Sequence, residues 1–525
     1  MVRSTFASFV TAQTGLNASQ RALDVTGQNM TNVNTAGFTR QRLDLISISS
    51  GGYSNRYAFL PSNDIGQGVR ISGVSRIRDP FLDIKFRREH AQLGEYEAQY
   101  LPLTDMETVF NEISIKGLAS GISDFITQLQ KLSQNTGNVE FDSIVRTSAE
   151  NLTKLFNSYA KQMIQIREQT SYQVETIDIP RINTILESIA SLNKVIREDQ
   201  TYGNPSLELR DRRDLLFDEL SQYMKIDVVY TPVEVAPGIV VEDVAVRLRD
   251  NEVPPNFAEL LNNRDYAEFS VTVDAVSGEG KIFLSPLSRA PSSSPTDAEI
   301  TSIIMSGTGV IKGTLDMLNK SGAFDDPPSD VRGIGYFEKA LDVLAAKLAE
   351  VFNAANSLND PPEKPMFANI TDDSTDNITA LNISVSQAWL RSEYGITTSK
   401  QDWPDDSSGA RDNVLFMITL FDNKYKFDIA SGGQQVFEGT FQEFFGQITN
   451  TLALDVSKKD SDMKNHSSIV NSVLDLRDGV SGVSLDEEGI NLLRYQKSYN
   501  AAARFMTTLD EALDKLINGT GIVGR

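Results

Sequence analysis

Residues able to do chemistry are few in this chain, and their spacing fits none of the usual reactions. The two histidines, His90 and His466, each sit in or beside a helical stretch with no second His or Cys at ligand spacing. A packing or surface role suits them better than catalysis. Cysteine is absent, which excludes disulfides, thiol nucleophiles and Cys-based zinc sites. Asp372-Asp373-Ser374-Thr375-Asp376 begins like a calcium loop, yet Asn377 stands where Gly belongs and Ile383 where the closing Glu belongs. A solvated acidic loop is the better reading. Gly307-Thr308-Gly309 has Lys312 in place of the third Gly of a dinucleotide fingerprint, and no phosphate-binding Gly-Lys-Ser/Thr loop occurs. Acidic neighbours such as Asp405-Asp406 could serve a glycosidase, but an acidic chain offers many such pairs and spacing nominates none. No catalytic constellation, metal site or cofactor is expected.

What the chain carries instead is a helical seam at each end. Leu492, Tyr495, Tyr499, Ala502, Met506, Leu509, Leu513 and Leu516 follow the alternating three-four spacing that lines apolar groups along one helical stripe. Ser484 and Glu487 make a capping box that starts this helix, and from Leu485 to Leu516 it would run about 48 Å. Near the N-terminus Phe9, Leu16, Leu23 and Met30 recur every seven residues, with Phe6, Gln13, Gln20 and Gly27 beside them. Such a stripe buries little unless another helix lies on it. Two of them suggest termini that pair with each other or with neighbouring copies. Either stripe alone reads equally as a core helix closing a domain.

The N-terminal stripe runs into Gln28-Asn29-Met30-Thr31-Asn32-Val33-Asn34-Thr35-Ala36-Gly37-Phe38-Thr39-Arg40-Gln41. Asn and Gly tolerate left-handed backbone, so this run ends a helix and turns the chain. It resembles the signature of the flagellar axial proteins (the rod, hook and hook-associated families), in which a helix is followed by Asn-x-Asn-Thr-Pro-Gly-Phe or Tyr. Ala36 stands here in the Pro position. The stretch from Ser481 to Glu488, then Leu492-Leu493-Arg494-Tyr495-Gln496-Lys497-Ser498-Tyr499, is similar to the matching C-terminal end. Two internal segments resemble a hook-associated member more than a hook or rod protein. One is Leu209-Arg210-Asp211-Arg212-Arg213-Asp214-Leu215-Leu216-Phe217-Asp218-Glu219-Leu220-Ser221, and the other runs from Leu341 to Ala349 and on to Phe352-Asn353. No likeness extends to the stretches near 225–300 and 357–435.

The resemblance implies a structural adaptor of the bacterial flagellum that joins hook to filament. It also implies type III export without a cleaved signal peptide, and an extracellular place at the hook–filament junction. The implied mechanism is assembly: terminal helices stay largely disordered in the monomer, then order against adjacent subunits and form the inner tube. The implied interface comprises both seams and the turn holding Asn32, Asn34, Thr35, Gly37 and Phe38. The implied partners are hook protein, hook-associated protein 3, further copies in a ring or helical assembly, and an export chaperone at the C-terminal helix. Two alternatives stay open: a hook or rod protein of the same superfamily, and an axial scaffold carrying an enzymatic or carbohydrate-binding insert.

Composition agrees with such a role. The 525 residues suit roughly three or four domains with buried cores. No apolar run approaches a membrane span, so no membrane insertion is expected. The first ten residues are too polar for a secretory signal, which by itself would indicate the cytoplasm. The net charge of −22 is unevenly spread: residues 1–90 hold 11 basic and 6 acidic side chains, residues 481–525 hold 5 and 6, and the remainder holds 33 and 59. Nucleic acid is not a partner for so acidic a chain. Near-neutral ends permit close packing between subunits while the acidic body stays solvated, although plain solubility explains the acidity equally well.

The pattern between the ends predicts a mainly α, elongated, multi-domain chain with β-rich inserted domains, its long terminal helices pairing in a coiled-coil-like bundle. Residues 1–78 form an N-terminal assembly helix with a turn and β segment, and 79–224 a helical body. Ile144, Leu152, Leu155, Phe156, Tyr159, Met163 and Ile166 make one stripe there, and Ile182, Ile185, Leu186, Ile189 and Leu192 another, with Pro180 starting or kinking its helix. In 225–300 the period falls to two at Val244, Val246 and Leu248 and at Phe269, Val271 and Val273, and a hairpin is expected across Ser277 to Gly280. Ala290 to Pro295 reads as a linker. The helical body continues over 301–356, interrupted at Asp325-Asp326-Pro327-Pro328. A mixed β insert spans 357–436, opening at Asp360-Pro361-Pro362 and holding Trp389 and Trp403, with strands expected at Val414 to Phe421 and Tyr425 to Ile429. Residues 437–525 complete the helical body and end in the terminal assembly helix. Because loop closure costs little, Tyr230 to Leu287 is expected to be a dispensable outer domain.

Overall fold

The structure is a computed structural model and describes residues 5–48, 68–111, 117–249, 257–274, 278–287, 297–358, 363–400, 410–428 and 435–519. Helix α1 (Thr5–Thr31) leads into an antiparallel hairpin, β1 (Gln41–Ser47) on β2 (Val69–Arg76). In α2 (Pro80–Phe110) the Asp79 carboxylate accepts from the Phe81 N–H at 2.9 Å and Pro80 opens the first turn, where its missing N–H costs nothing. The turn at Asn135 to Asn138 separates α3 (Leu118–Gln134) from α4 (Val139–Tyr172). Pro180 stands in the first turn of α5 (Ile179–Thr201), as expected, and α4 reaches that helix through a π-helical turn, Gln173–Asp178. The wider turn accommodates a ring that lacks a donor. Helix α6 (Leu207–Tyr223) follows.

The β-rich segment forms two antiparallel sheets. The first has the order β3 (Ile226–Ala236), β4 (Ile239–Arg249), β5 (Phe257–Asn262), β6 (Asp265–Tyr266), and the second β7 (Phe269–Val273), β8 (Gly280–Leu284), β9 (Ala298–Glu299). Then come α7 (Thr301–Met305), α8 (Val310–Asn319) and α9 (Ile334–Ser357). The pair β10 (Phe367–Asn369) and β11 (Ile383–Val385) precedes the short α10 (Gln387–Leu390) and α11 (Asp412–Thr419). A second pair, β12 (Tyr425–Asp428) and β13 (Gln435–Gly439), leads into α12 (Phe441–Ser481) and α13 (Leu485–Gly519). Helix α12 opens on a complete capping box: Thr440 Oγ1 accepts from Glu443 N at 3.2 Å, and Glu443 Oε2 accepts from Thr440 N at 2.9 Å.

Two large apolar cores organise the body. The first gathers Phe125, Phe156, Phe337, Phe352, Phe367, Trp389 and Phe441 from α3, α4, α9, α12 and the strand pairs between them. The second lies between α5, α6 and α8 on one side and the sheets on the other, with Ile189, Phe217, Val246, Leu261, Ile282 and Ile311 at its centre. The mainly α chain with β-rich inserts is as expected, and the inserts share these cores with the helices. Strands β4, β5 and β8 supply one wall of the second core, because an alternating strand has an apolar face that must be covered by helix. Trp389, fully buried, likewise belongs to the first core. A third, small cluster, Phe86 with Val470 and Val473, seals α2 against α12.

The strand expected from Val414 to Phe421 is a helix. In α11 the buried residues Asn413, Val414 and Met417 follow helical spacing, and the Asn413 amide donates to the carbonyls of Ala355 at 3.0 Å and Thr397 at 2.7 Å. Trp403, Ile429, Asp360 to Pro362 and Ala290 to Pro295 lie outside the described residues.

Candidate functional site

The terminal helices pair within one chain, as the fold reading expects: α13 packs along α1. On α13, Leu492, Tyr495, Tyr499, Ala502, Met506, Leu509 and Leu513 are half-buried and Leu516 is exposed. On α1, Phe9, Leu16, Leu23 and Met30 are half-buried, while the deepest line is Ala12, Ala18, Ala22 and Thr26. Helix α1 packs on β1 and β2 as well as on α13, so its small residues are covered more completely than its heptad of large apolar side chains. Off the α13 seam, Ile490, Leu493 and Phe505 of that helix are exposed.

At the base of this pair the chain turns through the Asn-rich run. Asn32 Nδ2 donates to Gln28 O at 2.9 Å, Thr35 Oγ1 donates to Asn32 Oδ1 at 3.1 Å, and Phe38 N donates to Thr35 O at 3.1 Å. Gly37 has φ +76°, a left-handed conformation that favours glycine, and packs against Leu215. Asn32 and Phe38 are half-buried, whereas Asn34 and Thr35 are exposed. The buried Asn29 was not singled out by its sequence, yet it holds the turn. Its Nδ2 donates to Gln41 O and its Oδ1 accepts from Gln41 N, both at 2.9 Å, so the side chain imitates a strand partner for β1.

The turn is joined to the body by buried ion pairs centred on α6. Asp211, Asp214 and Asp218 are three and four residues apart and share one helical face. Arg76 Nη1 donates to Asp211 Oδ1 and to Asp214 Oδ2, both at 2.8 Å, and Asp211 Oδ2 accepts from Thr39 N at 3.1 Å. Arg78 Nη1 donates to Asp214 Oδ2 at 2.8 Å while its other nitrogens grip Asp83. Asp218 receives Arg87 at 2.8 Å and Arg477 of α12 at 2.7 Å. Arg213, 1% exposed, reaches the other way to Asn193 and to Glu242 of β4. Burial alone would raise the Asp214 carboxyl, but Arg78, Arg76, Arg213 and Arg87 outweigh it and hold the group below the usual carboxylate range. Beside this cluster Arg40 bridges Glu487 at 2.5 Å and Glu488 at 2.8 Å. Ser484 Oγ accepts from Glu487 N at 3.4 Å, so the Ser side of the expected capping box is in place while the Glu487 carboxylate holds Arg40. A cleft of about 620 Å³ opens here between the turn, Leu215, Leu474, Arg477 and Glu487.

The residues weighed for chemistry are occupied elsewhere. His90 Nδ1 lies 3.1 Å from Asp218 O with its ring stacked on Phe86, and burial lowers its pKa. His466 meets Glu89 at 3.2 Å. Asp372 accepts from the backbone of Ser374, and Asp373 from Gln387 N. Lys312 is paired with Glu95 and Asp316. Among the described residues no group of three His, Cys, Asp or Glu could hold a metal ion, and no helix is long and apolar enough to cross a membrane. Asp405 and Asp406 lie outside the described residues.

A family model described as the flagellar hook-associated protein FlgK helical domain matches residues 103–363, which include α6 and its aspartates. The flagellar hook-associated protein 1 of Bacillus subtilis is 28% identical, over 99% of this chain and 100% of its own length. This chain belongs to the flagellar hook-associated protein 1 family. Its ends match models for the flagella basal body rod protein over residues 9–39 and for the flagellar basal body rod FlgEFG protein C-terminal over 479–519, so the family's two ends are the α1 and α13 pair. The Escherichia coli hook-associated protein 1 is 22% identical, over 97% of this chain and 98% of its own length. A solved structure described as the flagellar hook junction protein FlgK from Burkholderia pseudomallei shares the fold, with a TM-score of 0.56 at 12% identity over 76% of this chain and all of that one.

Proposed function

We propose that this chain is a non-catalytic adaptor of the bacterial flagellum, placed between hook and filament and self-assembling through its terminal helices. The observation that carries this reading is the pairing of α1 with α13, which uses one face of α13 and leaves Ile490, Leu493 and Phe505, off that face, in water. Exposed apolar side chains on a helix already paired along another face suit contact with a further copy. The near-neutral ends suit close packing between copies, and the acidic middle suits a solvated exterior. Hook protein on one side and hook-associated protein 3 on the other are the partners this position requires. A chaperone holding α13 before export, and export without a cleaved signal, complete the proposal.

Phe505→Asp tests it. Phe505 is 47% exposed, so the charge should leave the melting of the isolated chain within about 0.5 kcal/mol of wild type. Burying that charge between copies would cost several kcal/mol. The expected outcome is an exported, folded variant whose cells carry hooks without filaments. Normal filaments on cells expressing it would refute the assembly role of this face.

A further inference from the structure

A pocket of about 320 Å³ opens between α2, α4, the π-helical turn, α6 and α8, and none of the joint's ion pairs line it. Its chemistry is one-sided. Asp178 stands in its wall, only 4% exposed; Oδ1 accepts from Gln173 Nε2 at 3.1 Å, and the buried Oδ2 has no hydrogen-bond partner within the chain. Glu97 and Asp105 add two carboxylates from α2, and no Lys or Arg is among the described lining residues. Pro102, inside α2, has no N–H to give the Ala98 carbonyl, which also belongs to the wall, so a further acceptor lacks its helical donor. The hydroxyls of Thr170 and Thr314 are turned to their own helices, donating to Ile166 O at 2.8 Å and to Val310 O at 3.0 Å, while Tyr223, Gln169 and Gln222 complete the polar wall.

Three carboxylates thus surround the space with no cationic side chain among the described lining residues. Burial raises the Asp178 carboxyl, with only the Gln173 amide opposing the shift. The backbone departs from α-helix at this same place, in a π-helical turn of the kind that is frequent at functional sites.

We propose that this pocket binds an aliphatic ammonium group, with Asp178 as its counter-ion. A linear diamine matches the rest of the wall. Its methylenes would lie along Leu101 and Val310, and its second ammonium would reach Glu97 and the exposed Asp105 at the rim. The volume falls in the range of small-molecule pockets, and a chain of net charge −22 concentrates cations around itself. The same chemistry could come from a free diamine or from a lysine side chain of a second copy.

Calorimetric titration of the purified full-length chain with 1,4-diaminobutane tests the site, with 1,4-butanediol as the uncharged control. Saturable binding of the diamine and none of the diol is expected, weakened about tenfold or more by Asp178→Asn, the loss of roughly one strong ionic contact. Should Asp178→Asn fail to fold, the double change Glu97→Gln with Asp105→Asn serves instead, and is expected to weaken binding by a smaller factor. A crystal of the wild type soaked in the diamine is expected to show it against Asp178 Oδ2. A free amine as natural ligand leaves self-association in sedimentation unchanged by the diamine. A neighbour's lysine as ligand makes the diamine, and Asp178→Asn, reduce that association. The proposal is overturned by the absence of saturable binding up to about 10 mM, by equal binding of the diol, by unaltered affinity in folded Asp178→Asn, or by density for water only.

Discussion

Replacing Asp214 by Asn tests whether the joint at the base of the terminal helices is held by charge. The carboxylate accepts from Arg76 and Arg78 at 2.8 Å each and from the Tyr230 hydroxyl at 3.2 Å. Asn keeps the shape and can still accept, but removes the charge from among four arginines. Breaking a buried ion pair from one side costs about 3–5 kcal/mol. Here Arg76 keeps Asp211 and Arg78 keeps Asp83, so neither guanidinium is orphaned and the lower end, about 3 kcal/mol, applies. Hairpin β1–β2 and the start of α2 reach α6 through these bonds, so the loss should appear there first. The assay is amide exchange followed by mass spectrometry, with denaturant unfolding alongside. Exchange at Thr39 to Arg42 and Arg76 to Asp83 should speed up about a hundredfold. The pH dependence has a definite sign. A carboxyl held below its unfolded value stabilises above that value, about pH 3.9, and loses its contribution as pH falls through the folded one. Wild type should therefore loosen at the joint as pH falls below the usual carboxylate range, and the variant should lack that step. A stability change under about 1 kcal/mol with unaltered exchange in both segments would refute the reasoning.

Asp342 on α9 is pushed up to about 6 by burial, although its Oδ1 accepts from Ala380 N at 2.8 Å. Its raised value means stability that is present below the unfolded pKa and lost as pH rises through about 6. Asp342→Asn should therefore raise stability at pH 8 by up to about 3 kcal/mol and flatten its pH dependence between about 4 and 6; an unaltered pH profile would count against this. Deleting Tyr230 to Leu287 removes Val244, Val246, Leu248, Leu260, Leu261, Phe269 and Ile282 from the second core. At about 1.5–3 kcal/mol each that exceeds the whole stability of a domain, so the deleted chain should expose apolar surface and melt without a cooperative transition. Cooperative melting close to wild type would restore the reading of this segment as a dispensable outer domain.

Periodicity made legible those elements whose pattern admits one answer. Strand β4 alternates, and only one of its faces can meet α5 and α6. The spacing of Phe441, Phe444, Phe445 and Ile448 fits a helix and nothing else. The run from Val414 to Phe421 is apolar nearly throughout, and such a run cannot be assigned by period. Its helix is decided by the Asn413 amide, whose acceptors lie 58 and 16 residues away. The same distance hides the joint. Leu209 to Ser221 could be recognised as a family mark, but its aspartates meet arginines from 131 to 259 residues away, and a charged helix with distant partners looks like a charged helix in solvent.

That concealed arrangement gives the motif a physical purpose. The α1 and α13 pair leaves the body at the turn, so any load on the pair passes through that turn. Apolar packing tolerates sliding, since its strength depends on area and hardly on direction. Bidentate and shared arginine contacts do not, because each fixes a plane and a distance. Arg40 ties the turn to Glu487 and Glu488 of α13, and Thr39 ties it to Asp211 of α6. Arg477 ties α12 to Asp218, and Arg76 and Arg78 tie the second strand and the start of α2 to Asp214. The turn, β2, the start of α2 and α12 are thus keyed to one face of α6, and α13 is keyed to the turn. A set of ion pairs of this kind costs desolvation that equivalent apolar side chains would avoid. What it supplies in return is a fixed angle between body and terminal pair, which an adaptor needs if successive copies are to meet at one angle.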